Sequence, residues 1–191
     1  MSACDRLVDM AVTTGLMTVG DFSKLPKDSG PVYHELRHGE VVSVTRPKLK
    51  HAILRAGLRR IFEELAEPGS YVETEVAFRP KPEYELRVAD VAYLSKERFE
   101  RTDMDDYIQG APDLVIEVLS PSNTVYEINE KEAICLENGC KEFWVLDPAL
   151  PQIKVSTPDG RAVTYKVGQQ IPLPLFGNKT LEADEVFHGC G

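Results

Sequence analysis

Residues 111–120 read Ala-Pro-Asp-Leu-Val-Ile-Glu-Val-Leu-Ser, an apolar run with Glu117 inside it. Residues 88–94, Val-Ala-Asp-Val-Ala-Tyr-Leu, have the same character around Asp90. Such runs are typical of strands that are covered on both faces of a sheet. A carboxylate in such a strand loses its hydration, which costs several kcal/mol unless a partner compensates. A divalent metal ion is the partner that best explains two acids of this kind.

The segment after Glu117 predicts a helix and then another buried strand. Residues 121–123, Pro-Ser-Asn, break the first strand, and helical spacing runs over 126–137 until Asn-Gly at 138–139. Residues 142–148 form the next apolar strand. A strand, a helix and a strand in this order predict a right-handed crossover, so the two strands should be parallel neighbours.

The segment before Asp90 predicts a hairpin, a long helix and a strand. The hairpin covers residues 32–44 and turns at His38-Gly39, and apolar spacing predicts a helix from Lys50 to Ala66. Residues 71–78 alternate with a period of two. This alternation predicts one sheet face for the even-numbered positions and the opposite face for the odd-numbered ones.

The order of elements predicts the fold class and the domain organisation. Helix, strand, strand, strand, helix, strand between Lys50 and Leu146 indicates an α/β fold with an αβββαβ core and a mixed sheet. Short strands with Pro and Gly turns in residues 153–187 predict a C-terminal β extension at the sheet edge. We expect a single domain over 17–187, an N-terminal extension over 1–16 with Met17 as a candidate original start, and a tail over 188–191.

The composition is typical of a soluble globular protein. The 191 residues are 42% hydrophobic and 28% charged. No apolar stretch reaches the length of about 20 residues that crosses a bilayer. The N-terminus lacks the basic region and apolar core of a secretory signal, so we expect a cytoplasmic protein without a membrane partner. The four cysteines lack zinc-ligand spacing and are expected to be reduced thiols.

The formal net charge of −9 argues against a protein that coats nucleic acid non-specifically, because that function needs a broad basic surface. It does not exclude a nuclease, since a metal site concentrates acids and a local basic strip can lie on an acidic body. Arg55 and Arg59 of the predicted long helix, with His51 at its start, are candidates for contacts with a nucleic acid backbone. A solvated helix face, and a capping or surface role for His51, are the alternatives.

Asp90, Glu117 and Lys131 form the candidate site. If the two acid-bearing strands are neighbours, their opposed side chains lie about 5 Å apart, and carboxylates that close stay ionised only with a cation between them. The alternative is that one acid is protonated or bonded to the backbone. Lys131 belongs to the apolar stripe of its helix, so it points toward the sheet and the acids. It could instead lie at the edge of the stripe with its ammonium in water.

Several motifs occur in a recognisable order along the chain. They are Pro-Asp-Leu-Val-Ile-Glu-Val-Leu-Ser-Pro-Ser at 112–122, the helical lysine, Asn-Gly-Cys-Lys-Glu-Phe-Trp-Val-Leu-Asp-Pro at 138–148, and the segments 17–26, 33–42 and 181–187. In this order and spacing they resemble the Uma-two family of endonuclease-like proteins, within the PD-(D/E)XK nuclease superfamily. The resemblance covers roughly residues 17–187. It implies a restriction-endonuclease-like fold, which agrees with the predicted αβββαβ order.

The same resemblance assigns family roles to the site residues. Asp90 corresponds to the first acid of the motif and Glu117 to the second. The superfamily lysine usually follows the second acid by two positions, where this chain has Leu119, and in this family it has moved to the next helix, where Lys131 fits. The family often has an acid one turn before this lysine. The nearest acid here is Glu127, four residues before Lys131.

The resemblance implies metal-dependent hydrolysis of the phosphodiester bonds of DNA, with Mg²⁺ or Mn²⁺ as the cofactor. Asp90, Glu117 and a backbone carbonyl of the same strand would bind the ion, and Lys131 would position a water molecule or stabilise developing charge. Glu75 is an additional candidate ligand, or else faces solvent. Cutting both strands of DNA calls for two sites, which favours a homodimer. The alternative function is a catalytically degenerate nuclease fold that serves as a binding or assembly module.

Overall fold

A seven-stranded mixed sheet lies at the centre of the chain in a computed structural model, which describes residues 15–26, 30, 32–46 and 48–187. The strands of these residues are β1 (Val32–Arg37), β2 (Glu40–Thr45), β3 (Tyr71–Arg79), β4 (Arg87–Leu94), β5 (Ile108–Gln109), β6 (Leu114–Val118), β7 (Glu142–Asp147), β8 (Gln152–Ser156), β9 (Ala162–Lys166), β10 (Gln170–Leu173) and β11 (Lys179–Glu182). The helices are α1 (Val19–Phe22), α2 (Leu49–Leu65), α3 (Lys96–Glu100), α4 (Val125–Glu137) and α5 (Ala183–Phe187), with a 3₁₀ helix at Pro174–Phe176. The sheet order is β5-β3-β4-β6-β7-β8-β9.

Two helices cover the sheet, one on each face. α2 packs in a cluster of buried side chains that includes Phe62 and Ile116, and α4 packs in another cluster that includes Ile134 and Val115. Val115 and Ile116 are adjacent in β6, so the two clusters lie on opposite faces of the sheet. Trp144 of β7 is fully buried in the first cluster. The central strands are therefore covered on both faces, as their apolar sequences predict.

The strand pairing agrees with the predicted core. β6 is parallel to β7, and α4 connects them, which confirms the predicted parallel pair. β4 and β6 are antiparallel neighbours, so the two acid-bearing strands lie side by side. β1 and β2 form the predicted hairpin. The mixed sheet and the αβββαβ order are therefore confirmed.

The face alternation predicted for β3 is wrong beyond its middle. Val72 packs in the cluster under α2, whereas Val76 and Phe78 pack in the cluster under α4, although the alternation predicts one face for all three. Glu75 lies between them with a φ of 54°, in the left-handed region that residues other than glycine rarely adopt. The ladder between β3 and β4 is interrupted at Glu75 and Asp90. The same change of face occurs in β4, where Val91 packs under α2 and Ala89 under α4, so both strands turn over at this point.

The C-terminal segment extends the sheet only in part. β8 and β9 continue the sheet beyond β7, as predicted. Within the described residues, β10 and β11 pair only with each other, and their side chains Ile171 and Leu181 are buried in the cluster under α2. The prediction of an edge extension is therefore right for β8 and β9 and wrong for the last hairpin, because its apolar residues complete the core beside α2.

Parts of the predicted ends lie outside the described residues, including residues 1–14 of the predicted extension and the predicted tail at 188–191. Cys135 and Cys140 are buried free thiols, and the other two cysteines lie outside the described residues. Within the described part of the chain, none of the helices combines the length and the apolar character needed to span a membrane.

Candidate active site

The antiparallel register of β4 and β6 brings Asp90 and Glu117 together. Val91 pairs with Ile116, and the two acids are the next residues along this register. The backbone N–H of Asp90 donates to Oε1 of Glu117 at 3.4 Å, and the N–H of Val118 donates to Oδ2 of Asp90 at 2.8 Å. Both carboxylates therefore lie at the same point of the sheet, where the β3–β4 ladder is interrupted.

Lys131 reaches this pair of acids from α4. Its Nζ lies 2.8 Å from Oε1 of Glu117 and donates to the backbone carbonyl of Val88 at 2.7 Å. The side chains of Lys131 and Glu117 are each only 9% exposed. The ammonium therefore lies inside the molecule with two oxygen partners, rather than at the edge of the helix stripe in water.

Burial and neighbouring charges shift the protonation equilibria of this pair. Burial raises the pKa of Glu117 to about 7, an effect that the charge of Lys131 opposes and that of Asp90 reinforces. Burial alone would lower the pKa of Lys131, but the charge of Glu117 outweighs it, so that pKa is raised. Lys131 thus stays an ammonium, whereas Glu117 exchanges its proton in the neutral range.

His51 lies between two oxygens of the site. Its Nε2 is 2.8 Å from the backbone carbonyl of Val118 and 3.3 Å from Oδ2 of Asp90, and the imidazole is 14% exposed. Burial disfavours its charged form, but the hydrogen bond and charge of Asp90 outweigh this effect and raise the pKa of His51. The contact with His51 and the hydrogen bond from the N–H of Val118 together outweigh burial, so the pKa of Asp90 is lowered. The buried Nδ1 of His51 has no hydrogen-bond partner among the described residues.

The structure places the other predicted site residues at increasing distance from the acids. Arg55 contacts Asp90, with Nη1 3.5 Å from Oδ1, and the same Nη1 lies 3.1 Å from Oε1 of Glu75. The side chain of Glu75 is 47% exposed and reaches Asp90 only through this arginine. Arg59 pairs instead with two other glutamates. Its Nη1 lies 2.6 Å from Oε1 of Glu63, and its Nε lies 3.6 Å from Oε1 of Glu73 in β3.

The hairpin β1–β2 supplies two charged residues beside the site, Glu35 and Arg37. Glu35 is buried, accepts a hydrogen bond from the N–H of Val88 at 3.0 Å and pairs with Arg37. Arg37 also lies 2.9 Å from Oε1 of Glu127 in the first turn of α4. This chain of contacts joins the hairpin to the backbone that holds Lys131. No periodic signal could find the contact of Arg37 with Glu127, because the two residues are 90 positions apart in the sequence.

Two further charged residues near the site have structural partners. Asp113 accepts hydrogen bonds at 2.9 Å from the N–H and hydroxyl of Ser95 and lies 3.0 Å from Nζ of Lys141, so it belongs to the loop packing at the start of β6. Arg87 is fully buried and pairs at 2.7 Å with Glu130 of α4. In the sequence, the contact of Arg87 with Glu130 is indicated only by the presence of an arginine at the start of an apolar strand.

A pocket of about 440 Å³ leads to Asp90, Glu117 and Lys131. Its walls come from the β1–β2 hairpin, the first turns of α2, the loop after β6 and the first turns of α4. Both acids and His51 line it, whereas Arg59 does not. Among the residues that the structure describes, no group of three or more His, Cys, Asp or Glu side chains is placed so that it could hold a metal ion. The site offers two carboxylates and the carbonyl of Val118 instead.

Comparisons with known proteins identify the family and the fold. The family model described as "Uma2: Putative restriction endonuclease" matches residues 19–189. The chain is 21% identical to a solved structure titled as that of "a putative nuclease belonging to DUF820 from Anabaena variabilis", with a TM-score of 0.77 over 92% of this chain and 99% of that one. At this identity the likeness shows the fold alone. Among curated proteins, none matches the chain. Because the family model spans most of the sequence, the chain belongs to the Uma2 family, as its motifs predict.

Proposed function

We propose that the chain is a metal-dependent endonuclease that hydrolyses phosphodiester bonds of DNA. The observation that carries this proposal is the contact group at the bottom of the pocket: Asp90 and Glu117 in register on neighbouring strands, with Nζ of Lys131 2.8 Å from Glu117. Membership in a family described as restriction endonucleases supports nuclease chemistry. Two carboxylates can bind a divalent ion, and an ammonium beside them can stabilise negative charge on a phosphate.

The donor set at this point fits Mg²⁺ or Mn²⁺. Mg²⁺ prefers oxygen ligands, usually keeps several waters and is bound through one or two carboxylates rather than by a closed protein cage. Asp90, Glu117 and the carbonyl oxygen of Val118 supply three such oxygens. Two of these oxygens lie close together, because Nε2 of His51 contacts both the carboxylate of Asp90 and the carbonyl of Val118. These three residues would therefore hold the ion.

Different residues of the pocket would have different roles in hydrolysis. A bound divalent ion supplies Lewis-acid chemistry, since it polarises the phosphate and lowers the pKa of a water molecule. Lys131, fixed by the carbonyl of Val88, would orient the attacking water or stabilise the negative charge that develops on the phosphate. Arg55 and His51 line the pocket and would orient Asp90. Arg59 has no part in this proposal, because it lies outside the pocket lining.

A cleavage assay with purified chain tests this proposal. With Mg²⁺ or Mn²⁺, the chain should cut DNA, offered both as single strands and as duplex. Glu117→Gln and Asp90→Asn should each lower the rate about 100-fold or more, because each removes a charge that the ion needs. Asp103→Asn, in an exposed acidic loop, is the matched control and should cut normally. Circular dichroism should confirm that all three variants fold.

Two outcomes of that assay would count against the proposal. Cleavage that persists at the full rate in both Glu117→Gln and Asp90→Asn would place the chemistry elsewhere. A folded wild-type chain that binds DNA but never cuts it, with either metal, would favour the alternative function of a degenerate nuclease fold that serves as a binding or assembly module.

A further inference from the structure

We infer that the pocket accepts a single-stranded segment of DNA rather than an intact duplex. The inference rests on the proposed function and names its substrate more closely. It depends on three features of the described residues: the depth and size of the pocket, the apolar character of its walls, and the charges and exposed apolar side chains at its mouth.

The depth and size of the pocket favour a single nucleotide unit. Glu117 and Lys131 are each 7% exposed, so a scissile phosphate has to enter the pocket to reach them. The cavity volume of about 440 Å³ lies in the range that encloses one small ligand. In a duplex, each phosphate is flanked by a rigid double helix that a pocket of this size cannot contain. An unpaired strand can bend and place one nucleotide inside.

The walls of the pocket match an unpaired base. Leu54 of α2, Val118 of β6 and Ile128 of α4 line the cavity together with the ring of Tyr33. In a duplex, the bases are stacked on one another and present only their edges to the grooves. An unpaired base exposes its apolar face, which can pack against side chains of this kind. The apolar walls would therefore be of no use to a duplex substrate.

The mouth of the pocket carries cations that no carboxylate neutralises. Lys48 and Lys50 line the pocket, are exposed and have no ion-pair partner among the described residues. Arg46 lies beside them, and its only described partners are a backbone carbonyl and the ring of Tyr33. In a chain with a net charge of −9, three such cations at one edge are a local positive strip. This strip fits the phosphates of a strand on its way into the site.

Two exposed apolar side chains are sequence neighbours of residues that line the pocket. Leu49 is 76% exposed between the two lysines, and Tyr126 is 79% exposed in the first turn of α4, next to the pocket-lining Glu127. Exposed side chains of this kind near a binding site mark an interaction surface. Single-stranded nucleic acids stack their bases on exposed aromatic rings, while positive side chains follow their phosphates. We therefore assign Tyr126 to a stacking contact with a base outside the pocket.

Binding measurements test the inference without relying on cleavage. Fluorescence anisotropy is measured on the full wild-type chain in EDTA, with a labelled single-stranded oligonucleotide and with the blunt duplex of the same sequence. The single strand should bind about tenfold or more tightly. Tyr126→Ala should weaken single-strand binding about fivefold or more, as the loss of one stacked base predicts. The logarithm of the binding constant falls as the logarithm of the salt concentration rises. Lys48→Ala should make this negative slope shallower by about 0.7, as expected for one lost phosphate contact to a single strand.

Matched controls and opposite outcomes make this test decisive. Tyr84→Ala, in the connection between β3 and β4, and Lys166→Ala, at the end of β9, change residues of the same types in segments that contribute nothing to the pocket, and should leave binding unchanged. Duplex binding that equals or exceeds single-strand binding, or a Tyr126→Ala variant that binds like the wild type, would overturn the inference. Cleavage of duplex alone would overturn it while the proposed function stands. Single-strand binding without cleavage in Mg²⁺ or Mn²⁺ would support it while the endonuclease proposal fails.

Discussion

The carboxylate of Glu117 is buried between two groups with opposite effects on its charge. Nζ of Lys131 at 2.8 Å favours the ionised form, whereas the neighbouring Asp90 disfavours it. Burial is the largest influence and raises the pKa of Glu117 to about 7. A carboxyl group in this state can release its proton near neutral pH when a cation arrives. The residue is therefore suited to a site that binds a metal ion reversibly.

Removal of the cation beside Glu117 should destabilise the fold. Lys131→Met leaves a buried carboxyl without its partner, and we expect the free energy of unfolding to fall by about 3 kcal/mol near pH 8. The loss should be smaller near pH 6. The unpaired carboxyl has a raised pKa and keeps a proton that the unfolded chain releases, so its cost to stability grows as pH rises. Urea denaturation at the two pH values measures both effects.

A double variant is the control for this prediction. Glu117→Gln with Lys131→Met removes both charges and should recover most of the stability lost in Lys131→Met alone, because no uncompensated charge remains. If Lys131→Met unfolds like the wild type at both pH values, or if the double variant is less stable than the single one, the buried pair is not the coupled unit that its geometry indicates.

The sequence predicts some site residues better than others. The positions of Asp90, Glu117 and Lys131 follow from strand alternation and helix spacing, which fix where a side chain points. The contact of His51 with Val118 and Asp90 does not follow from any local pattern, because it depends on where α2 crosses the end of β6. Sequence periodicity indicates which face of its own element a side chain occupies. It does not indicate where two elements cross.

At the scale of single elements, β3 contains the main departure from a regular pattern. Its residues alternate in sequence, yet Val72 and Val76 pack on opposite faces of the sheet. The cause is Glu75, whose φ of 54° lies in the left-handed region. A glycine or an asparagine in a sequence indicates that such a conformation is possible, whereas a glutamate does not. The element itself was predictable, whereas the change of face inside it was not.

The strain at Glu75 can be measured with two substitutions. Glu75→Gly and Glu75→Ala both remove the ion pair with Arg55, and they differ only in the cost of the left-handed backbone. We expect Glu75→Gly to be the more stable of the two by about 1 kcal/mol in the free energy of unfolding. Chemical denaturation of the two variants gives this difference. An alanine variant as stable as the glycine variant would mean that β3 runs as a regular strand.

At the scale of the whole molecule, the order of elements was enough to predict the core. A right-handed crossover between two parallel strands leaves few arrangements of these strands in the sheet. The last hairpin was beyond such reasoning, since β10 and β11 are short and their place depends on the surface that α2 leaves uncovered. The positive strip at the pocket was also hidden, because a net charge of −9 describes the sum of charges and not their distribution.

The proposed metal site has to be distinguished from the acidic surface of the whole chain. With 31 Asp and Glu residues, the chain can bind divalent cations weakly at many points. The account requires one site that differs from these by its dependence on Glu117 and on pH. The pKa of about 7 for Glu117 means that about a tenth of the molecules have the ionised form near pH 6 and about nine tenths near pH 8. The raised pKa of His51, which contacts Asp90, acts in the same direction.

Isothermal titration calorimetry with Mn²⁺ tests this central claim most directly. The wild-type chain should bind one Mn²⁺ per chain near pH 8 with an affinity about tenfold higher than near pH 6, because the ion competes with the proton of Glu117. Glu117→Gln should lose this site, and Asp103→Asn should keep it. The account would be contradicted if Glu117→Gln bound Mn²⁺ as tightly as the wild type, or if the wild type bound it equally well at both pH values.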